Sequence, residues 1–494
     1  VETDTVANVG QLTANSSGQL WRLDRGQAVI LVALVAVVIA VLPVTMSVAL
    51  LAGCGALLAI LIRPWLGLPL LALAIPFAAA QPLPVGNLPI DGADVLLLVI
   101  LLAWVAQGMV RRQVVLPPTP LAGAILLLVS ALSLSLLNAT SYREGLPELL
   151  KWVQVLILYW CVVTCLPARY VGWLVAGMLA AGVGQALLGL YQFLTQTGPE
   201  PFVLLGRFMR ASGTFGQPNP YAGYLGLIAP LAISLALWAW TAGKAWWLRL
   251  ALTTVATLTS LGLLLSWSRG AWIAFAAATV VVVLAHARKA APLVILVGGL
   301  AMGLALLLGA GNLLPASVIG RLSDLREYLG LVDIRYVEVN DANFSVIERV
   351  AHWQAALAMW ADQPWFGVGI GNYATVYPAY ALPRWQEPLG HAHNVYLNFG
   401  AEAGLLGFLS YLLFWLAAGW QALRALNRGD MFAAAIAAGV LGVLTHATIH
   451  NLFDNLWVQH SFLQLALLLG LLAVLQARPR PGEPAPAKPS LAAV

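Results

Sequence analysis

The stretch "MFAAAIAAGVLGVLTHATIH" occupies residues 431–450 and decides the fold. Its first fifteen residues carry no charge, and polar and apolar positions do not alternate. A run of that length without period-2 alternation is a membrane-spanning helix rather than a barrel strand. Its neighbours read the same way. The chain of 494 residues is 61% hydrophobic and only 9% charged, with mean hydropathy +0.86. A soluble protein could not bury that much apolar surface. In lipid, every backbone polar group must find a partner within the protein, so these runs are helices.

The apolar periodicity predicts fourteen spans: 27–44, 46–62, 66–80, 93–110, 121–137, 150–166, 170–194, 222–242, 246–267, 270–286, 292–309, 403–425, 431–450 and 456–476. The expected organisation has four parts. Residues 1–26 form a polar cytoplasmic segment with no signal-peptide core, and 27–476 form the transmembrane domain. Within that domain lies a large outward loop, 310–402, and residues 477–494 form a disordered Pro/Ala-rich cytoplasmic tail. Cys54, Cys161 and Cys165 all lie inside apolar runs and read as packing residues.

Charge sets the expected orientation. With an inner N-terminus, 15 of the 25 basic residues fall in inner segments, as the positive-inside rule requires. Ten fall outside: Arg143, Lys151, Arg207, Arg210, Arg269, Arg321, Arg326, Arg335, Arg349 and Arg384. Nine of the ten are arginine, whose planar fork suits bidentate recognition of phosphate or carboxylate. The alternative is pairing with outer acids such as Asp324, Glu327, Asp333 and Glu348.

Four places on this outer face can carry chemistry. Arg269, in "LLLSWSRGAW", sits at the outer end of a span, where a charge needs an offset such as a bound anion. Arg210, with Arg207 three residues before it, precedes a turn rich in glycine and proline, "RASGTFGQPNPYAG". His391 and His393, in "GHAHN", alternate at the mouth of a helix, where Asn394 can orient a ring or cap the helix. A neutral imidazole can take a proton from a hydroxyl. His446, His450 and Asp454 have i, i+4, i+8 spacing, although Asn451 and "FDN" end the helix before Asp454; they form a supporting polar cluster or, with the other histidines, a metal cage. "SVIERVAHWQAALAMWAD" predicts an amphipathic helix with a Ser345–Glu348 capping box and a stripe of Val350, Trp353, Leu357 and Trp360.

"SRGAW", "RASGTFGQPNPYAGYL", "ERVAHWQAALAMWADQPWFGVGIGNY" and "HAHNVYLNFGAEAGLLG", in that order, resemble the bacterial O-antigen ligase/polymerase superfamily over about residues 120–475. The resemblance implies a GT-C-type glycosyltransferase of the bacterial inner membrane, using an undecaprenyl-diphosphate-linked glycan on the periplasmic or extracellular side. It implies diphosphate binding by Arg210 and Arg269, with Arg207 and Arg349 as further candidates. It makes His393 the acid–base residue, or else His391. Asn394, Glu402, His446, His450 and Asp454 are expected in support, and Gly367, Gly369 and Gly371 match the family's glycine segment. No cofactor, no metal and no nucleic acid are expected. The expected partners are the bilayer, the donor, and a hydroxyl acceptor on a lipid A-core sugar, a glycan or a protein. Readings as ligase, polysaccharide polymerase or protein O-oligosaccharyltransferase stay open. So do a lipid-linked glycan transporter and a metal-dependent hydrolase.

Overall fold

The computed structural model describes residues 43–78, 83–85, 88–110, 112, 116–117, 119–204, 208–287, 339, 343–427 and 430–477. The expected span at 292–309, nearly all of that at 27–44, loop residues 310–338, Arg207 and the C-terminal tail lie outside them. Nine helices among the described residues have the length and apolar composition to cross a membrane, and three shorter apolar helices accompany them. Together they match the other twelve expected spans. The strands are two hairpins of two or three residues per strand, so the chain is an all-α polytopic membrane protein.

The chain divides into two compact units, Val1–Ile62 and Arg63–Val494. In the first, the described helix is α1 (Val44–Ile62). The second holds α2 (Gly67–Ala78), α3 (Gly92–Val110), α4 (Ala122–Ser135), α5 (Tyr142–Cys165), α6 (Val171–Thr195), α7 (Pro218–Gly226), α8 (Ala229–Thr241), α9 (Trp246–Leu265) and α10 (Arg269–His286). It continues with α11 (Phe344–Asp362), the single turn α12 (Tyr373–Val376), α13 (Val395–Leu426), α14 (Met431–His450) and α15 (Ser461–Gln476).

The centre of this unit is α14 with α8 and α15. Every residue of α15 from 461 to 475 is buried, and it packs chiefly on α5. Small residues let α14 approach its neighbours closely. A Cβ on Gly439 would lie 2.7 Å from Leu231 Cα of α8, and one on Gly442 would lie 2.5 Å from Val282 of α10.

One expected span is broken, and the helix that carries another is kinked where that span was expected to begin; both have a local cause. The span at 222–242 divides into α7 and α8 around Leu227 and Ile228. Pro230 has no N–H to bond back to Gly226 and its ring crowds that carbonyl. In α13, Gly404 adopts φ 62°, ψ −161°, interrupting the helix. Gly367, Gly369 and Gly371 have φ of 66°, 98° and 73°, conformations that side chains disfavour. Their segment docks on the break. Val368 and Gly369 donate to the carbonyls of Ala401 and Glu402 (both 2.9 Å), and Leu405 donates to Pro364 O (2.8 Å). The glycine segment thus satisfies backbone groups that the kink leaves without helical partners.

The amphipathic helix forms as α11, with two corrections. Its N-cap is Asn343, without a side-chain cap bond, because the Ser345 hydroxyl accepts from Arg269 instead. Its inward face is Ile347, Val350, Ala351, Ala355 and Met359, whereas Leu357 is 50% exposed. The expected stripe is therefore rotated. Buried alanines and Trp360 together make the contact of α11 with α13: a Cβ on Gly400 would lie 2.3 Å from the Trp360 ring.

Candidate functional site

Residues from five separate parts of the chain meet in the second unit. The loop carrying Arg210 is clasped by α6. Gln192 Oε1 accepts from Ser212 N (3.0 Å) and Gly213 N (2.8 Å), while its amide donates to Gly213 O (2.9 Å). Gln185 Oε1 accepts from Thr214 N at 3.1 Å. Gly213 is left-handed (φ 55°), and a Cβ there would lie 2.4 Å from Gln185 Oε1. This packing aims Arg210 at the end of α9, where its Nε donates to Ser266 O (2.8 Å).

Arg269 opens α10, and its Nη2 donates to Ser345 Oγ at 3.3 Å. Arg349 donates to Ser345 O at 2.6 Å and to Phe453 O at 3.1 Å. Arg269 and Arg349 therefore share Ser345, and Arg210 is anchored three residues before Arg269. Three of the four expected arginines converge, all of them partly buried.

The histidine turn is held by the start of α13. Asn394 caps the helix, accepting from Leu397 N at 3.1 Å. Asn398 Oδ1 accepts from Ala392 N (3.0 Å), and its amide donates to Glu402 Oε2 (3.0 Å). Glu402 Oε1 accepts from Tyr373 N at 3.0 Å. Buried Glu402 thus holds the turn through Asn398 rather than meeting either imidazole. His393 itself has φ 51°, a strained conformation for a residue with a side chain. Its N–H donates to His391 Nδ1 at 3.0 Å, which fixes Nδ1 of that ring as an acceptor.

Asp454 is the centre of the polar network. Its Oδ1 lies 3.3 Å from His393 Nδ1, and Asn219 Nδ2 donates to its Oδ2 at 2.8 Å. Asn219 Oδ1 in turn accepts from Arg210 Nη2 at 3.1 Å. One chain of contacts therefore joins Arg210, Asn219, Asp454 and His393. His393 Nε2 is buried and has no hydrogen-bond partner among the described residues.

The electrostatics follow from this packing. Burial opposes the charge on Asp454, but the His393 hydrogen bond and charge, with His391 and Arg349, outweigh it and hold the carboxyl well below its ordinary range. Burial, then the nearby His393 charge, pushes His391 down to about 3 and His352 down to about 4. Burial pushes the Glu348 carboxyl up, against His393 and Arg349. The site thus presents neutral flanking imidazoles beside an ionised carboxylate.

His352 and Asn219 were not candidates from sequence. The His352 ring lies 5.8 Å from His393 and stacks 4.6 Å from Tyr377. His446 and His450 do not join the histidine pair as a cage. Helix α14 ends at His450, so Asp454 leaves the helical register. His446 is fully buried against Gly226, where an added Cβ would lie 1.9 Å from its Nε2. The groups with metal-ligand spacing here are His391, His393 and Asp454, each offering one ligand atom within 4.8 Å of the others.

Apolar helices define a multi-pass membrane protein, in which a histidine–aspartate pair lies beside three clustered arginines. Residues 254–412 match the family model described as O-Antigen ligase, which supports membership of the O-antigen ligase superfamily and a membrane glycosyltransferase-like activity. No curated protein matches the chain.

Proposed function

We propose that the protein transfers a glycan from an undecaprenyl-diphosphate-linked donor to an acceptor hydroxyl at the outer face of the cytoplasmic membrane. The observation that carries this reading is the His393–Asp454 pair, with Nε2 of the ring unpartnered and three arginines nearby. Asp454 at Nδ1 selects the tautomer that leaves a lone pair on Nε2, as a carboxylate does for an imidazole base. The acceptor O–H proton passes to His393 Nε2. The acceptor oxygen bonds to the anomeric carbon as the bond to the diphosphate oxygen breaks on the opposite face, which inverts the configuration. Arg210, Arg269 and Arg349 stabilise the negative charge that develops on the leaving diphosphate.

The step as written needs no metal, because arginine charge serves as the counter-charge. The structure supports that use of the residues. His391 Nδ1 accepts from His393 N–H and Asp454 binds His393 and Asn219, which leaves His393 Nε2 for the acceptor proton. The close spacing of His391, His393 and Asp454 favours one second reading, a metal-dependent hydrolase. Polymerase and protein-glycosylating activities share the same chemistry and differ in acceptor. The test is transfer by the purified protein in nanodiscs. It uses a lipid-diphosphate glycan and, in turn, a lipid A-core sugar, a lipid-linked glycan and a peptide hydroxyl, each with and without chelator. Transfer that survives chelator supports the glycosyltransferase; chelator-sensitive release to water supports the hydrolase.

A further inference from the structure

An open surface cavity lies between the segment that follows α4, the end of α11 and the α12 turn, with Asn138, Thr140, Gln363 and Thr375 exposed on it. We propose that it binds uncharged sugar units of a glycan chain, as a subsite remote from the transfer centre; this rests on the glycan-transfer reading. Its volume of 540 Å³ falls in the range of small-molecule sites, about 300–1,000 Å³. Among the described residues its lining has no Asp, Glu, Lys or Arg, so no charge there favours a phosphate over a neutral group. Neutral polar groups line it instead, Asn138, Thr140, Gln363 and Thr375, beside the ring of Tyr380.

The two amides stand side by side. Asn138 Nδ2 donates to Gly367 O (3.0 Å) and, at 3.4 Å, to Gln363 Oε1. Those bonds orient both amides through the same atoms, which leaves Asn138 Oδ1 as an acceptor and Gln363 Nε2 as a donor. An adjacent donor and acceptor match a vicinal diol, and an aromatic face matches the C–H face of a pyranose. The frame is preorganised. Asn372 ties the two walls together, accepting from Ser141 N at 2.6 Å and donating to Ser141 O at 3.1 Å. The cavity also leads towards the histidines. Tyr377, next in sequence to the lining residue Pro378, stacks 4.6 Å from His352, whose ring is 5.8 Å from His393.

The test uses full-length protein in nanodiscs. Saturation-transfer NMR with N,N′-diacetylchitobiose and cellobiose as probes should show binding to wild type and to His393→Asn, and loss of binding in Thr375→Trp, which fills the cavity. Gln363→Ala should weaken binding about 3–10-fold, the scale of one neutral hydrogen bond. In transfer assays Gln363→Ala should raise KM by a similar factor with kcat unchanged. The effect should appear only with a multi-sugar substrate: a long donor with a short acceptor, and the reverse, show which glycan occupies the cavity. Equal probe saturation of wild type and Thr375→Trp, or none in wild type, overturns the subsite. Probe binding by a protein that transfers nothing overturns the proposed reaction and leaves the sugar site standing.

Discussion

Asp454 Oδ1 faces His393 Nδ1 at 3.3 Å across 61 residues of sequence, and Asn219 holds the second oxygen of the same carboxylate. The carboxylate therefore fixes a ring whose backbone, at φ 51°, sits in a conformation that a relaxed loop would avoid. If Asp454 orients the base, Asp454→Asn should lower transfer about 100-fold or more while diphosphate binding is kept. Initial rates alongside equilibrium donor binding check this. Asn219→Ala should lower the rate less, since it removes one of two restraints. Wild-type transfer by Asp454→Asn would show that the pair does not orient the base.

Arginine geometry gives the second prediction. Arg269→Ala should lower transfer about 100–1,000-fold, the scale of losing one preorganised charge stabiliser. Arg269→Lys should remain impaired, because an ammonium cannot both bond Ser345 and present a fork to a diphosphate. Donor affinity and rate for both variants decide it, and a fully active lysine variant counts against bidentate binding.

The kink in α13 makes a stability prediction. A Cβ on Gly367 would lie 2.4 Å from Glu402 C and 2.5 Å from Ala401 O, and a Cβ on Gly404 would lie 2.4 Å from Trp365 C. Those neighbours are backbone and cannot yield cheaply. Gly367→Ala and Gly404→Ala should each destabilise by about 1–3 kcal/mol or more. Gly419→Ala, with open space around it, should be nearly neutral. Thermal midpoints of the purified variants test the contrast, and equal midpoints for all three would refute it.

Two imidazoles held neutral should make stability depend on pH. The folded protein holds His391 and His352 at about 3 and about 4, below an unfolded imidazole near 6.5. Between those values the unfolded chain binds more protons at these rings, so their contribution falls as pH drops from about 6.5 towards 4 and is level above about 7. Burial raises the Glu348 and Glu402 carboxyls, which act in the opposite sense. The His352 part is therefore read as a difference: relative to wild type, His352→Gln should gain midpoint between pH 7.5 and pH 5. An unchanged difference between the two proteins contradicts the burial of a neutral His352 ring.

Composition made the membrane helices legible, because runs such as 431–450 have no other stable state in this chain. Sequence spacing also pointed to Arg210, Arg269, Arg349 and the histidine turn, and Asn394 caps α13 as its position suggested. The partnerships were not legible. Asn219 meets Asp454 across 235 residues, a distance over which local periodicity says nothing. His352 lies off the stripe of Val350, Trp353, Leu357 and Trp360 that the spacing of α11 marks. The alanines at 351, 355 and 356 were the available signal, since small residues mark a close helix contact. Asn451 and "FDN" mark a helix end before Asp454, and the helix does end at His450; no local signal shows that the turn carries the carboxylate to His393.

The central claim is that His393 takes the acceptor proton. The most direct measurement is the initial transfer rate of His393→Asn with chelator present and donor binding measured separately. Asparagine tolerates the left-handed backbone at this position better than alanine, so the variant removes the imidazole with little added strain. The rate should fall about 10²–10⁴-fold, the usual contribution of a general base, while donor affinity stays near wild type. Full activity in His393→Asn would contradict the assignment.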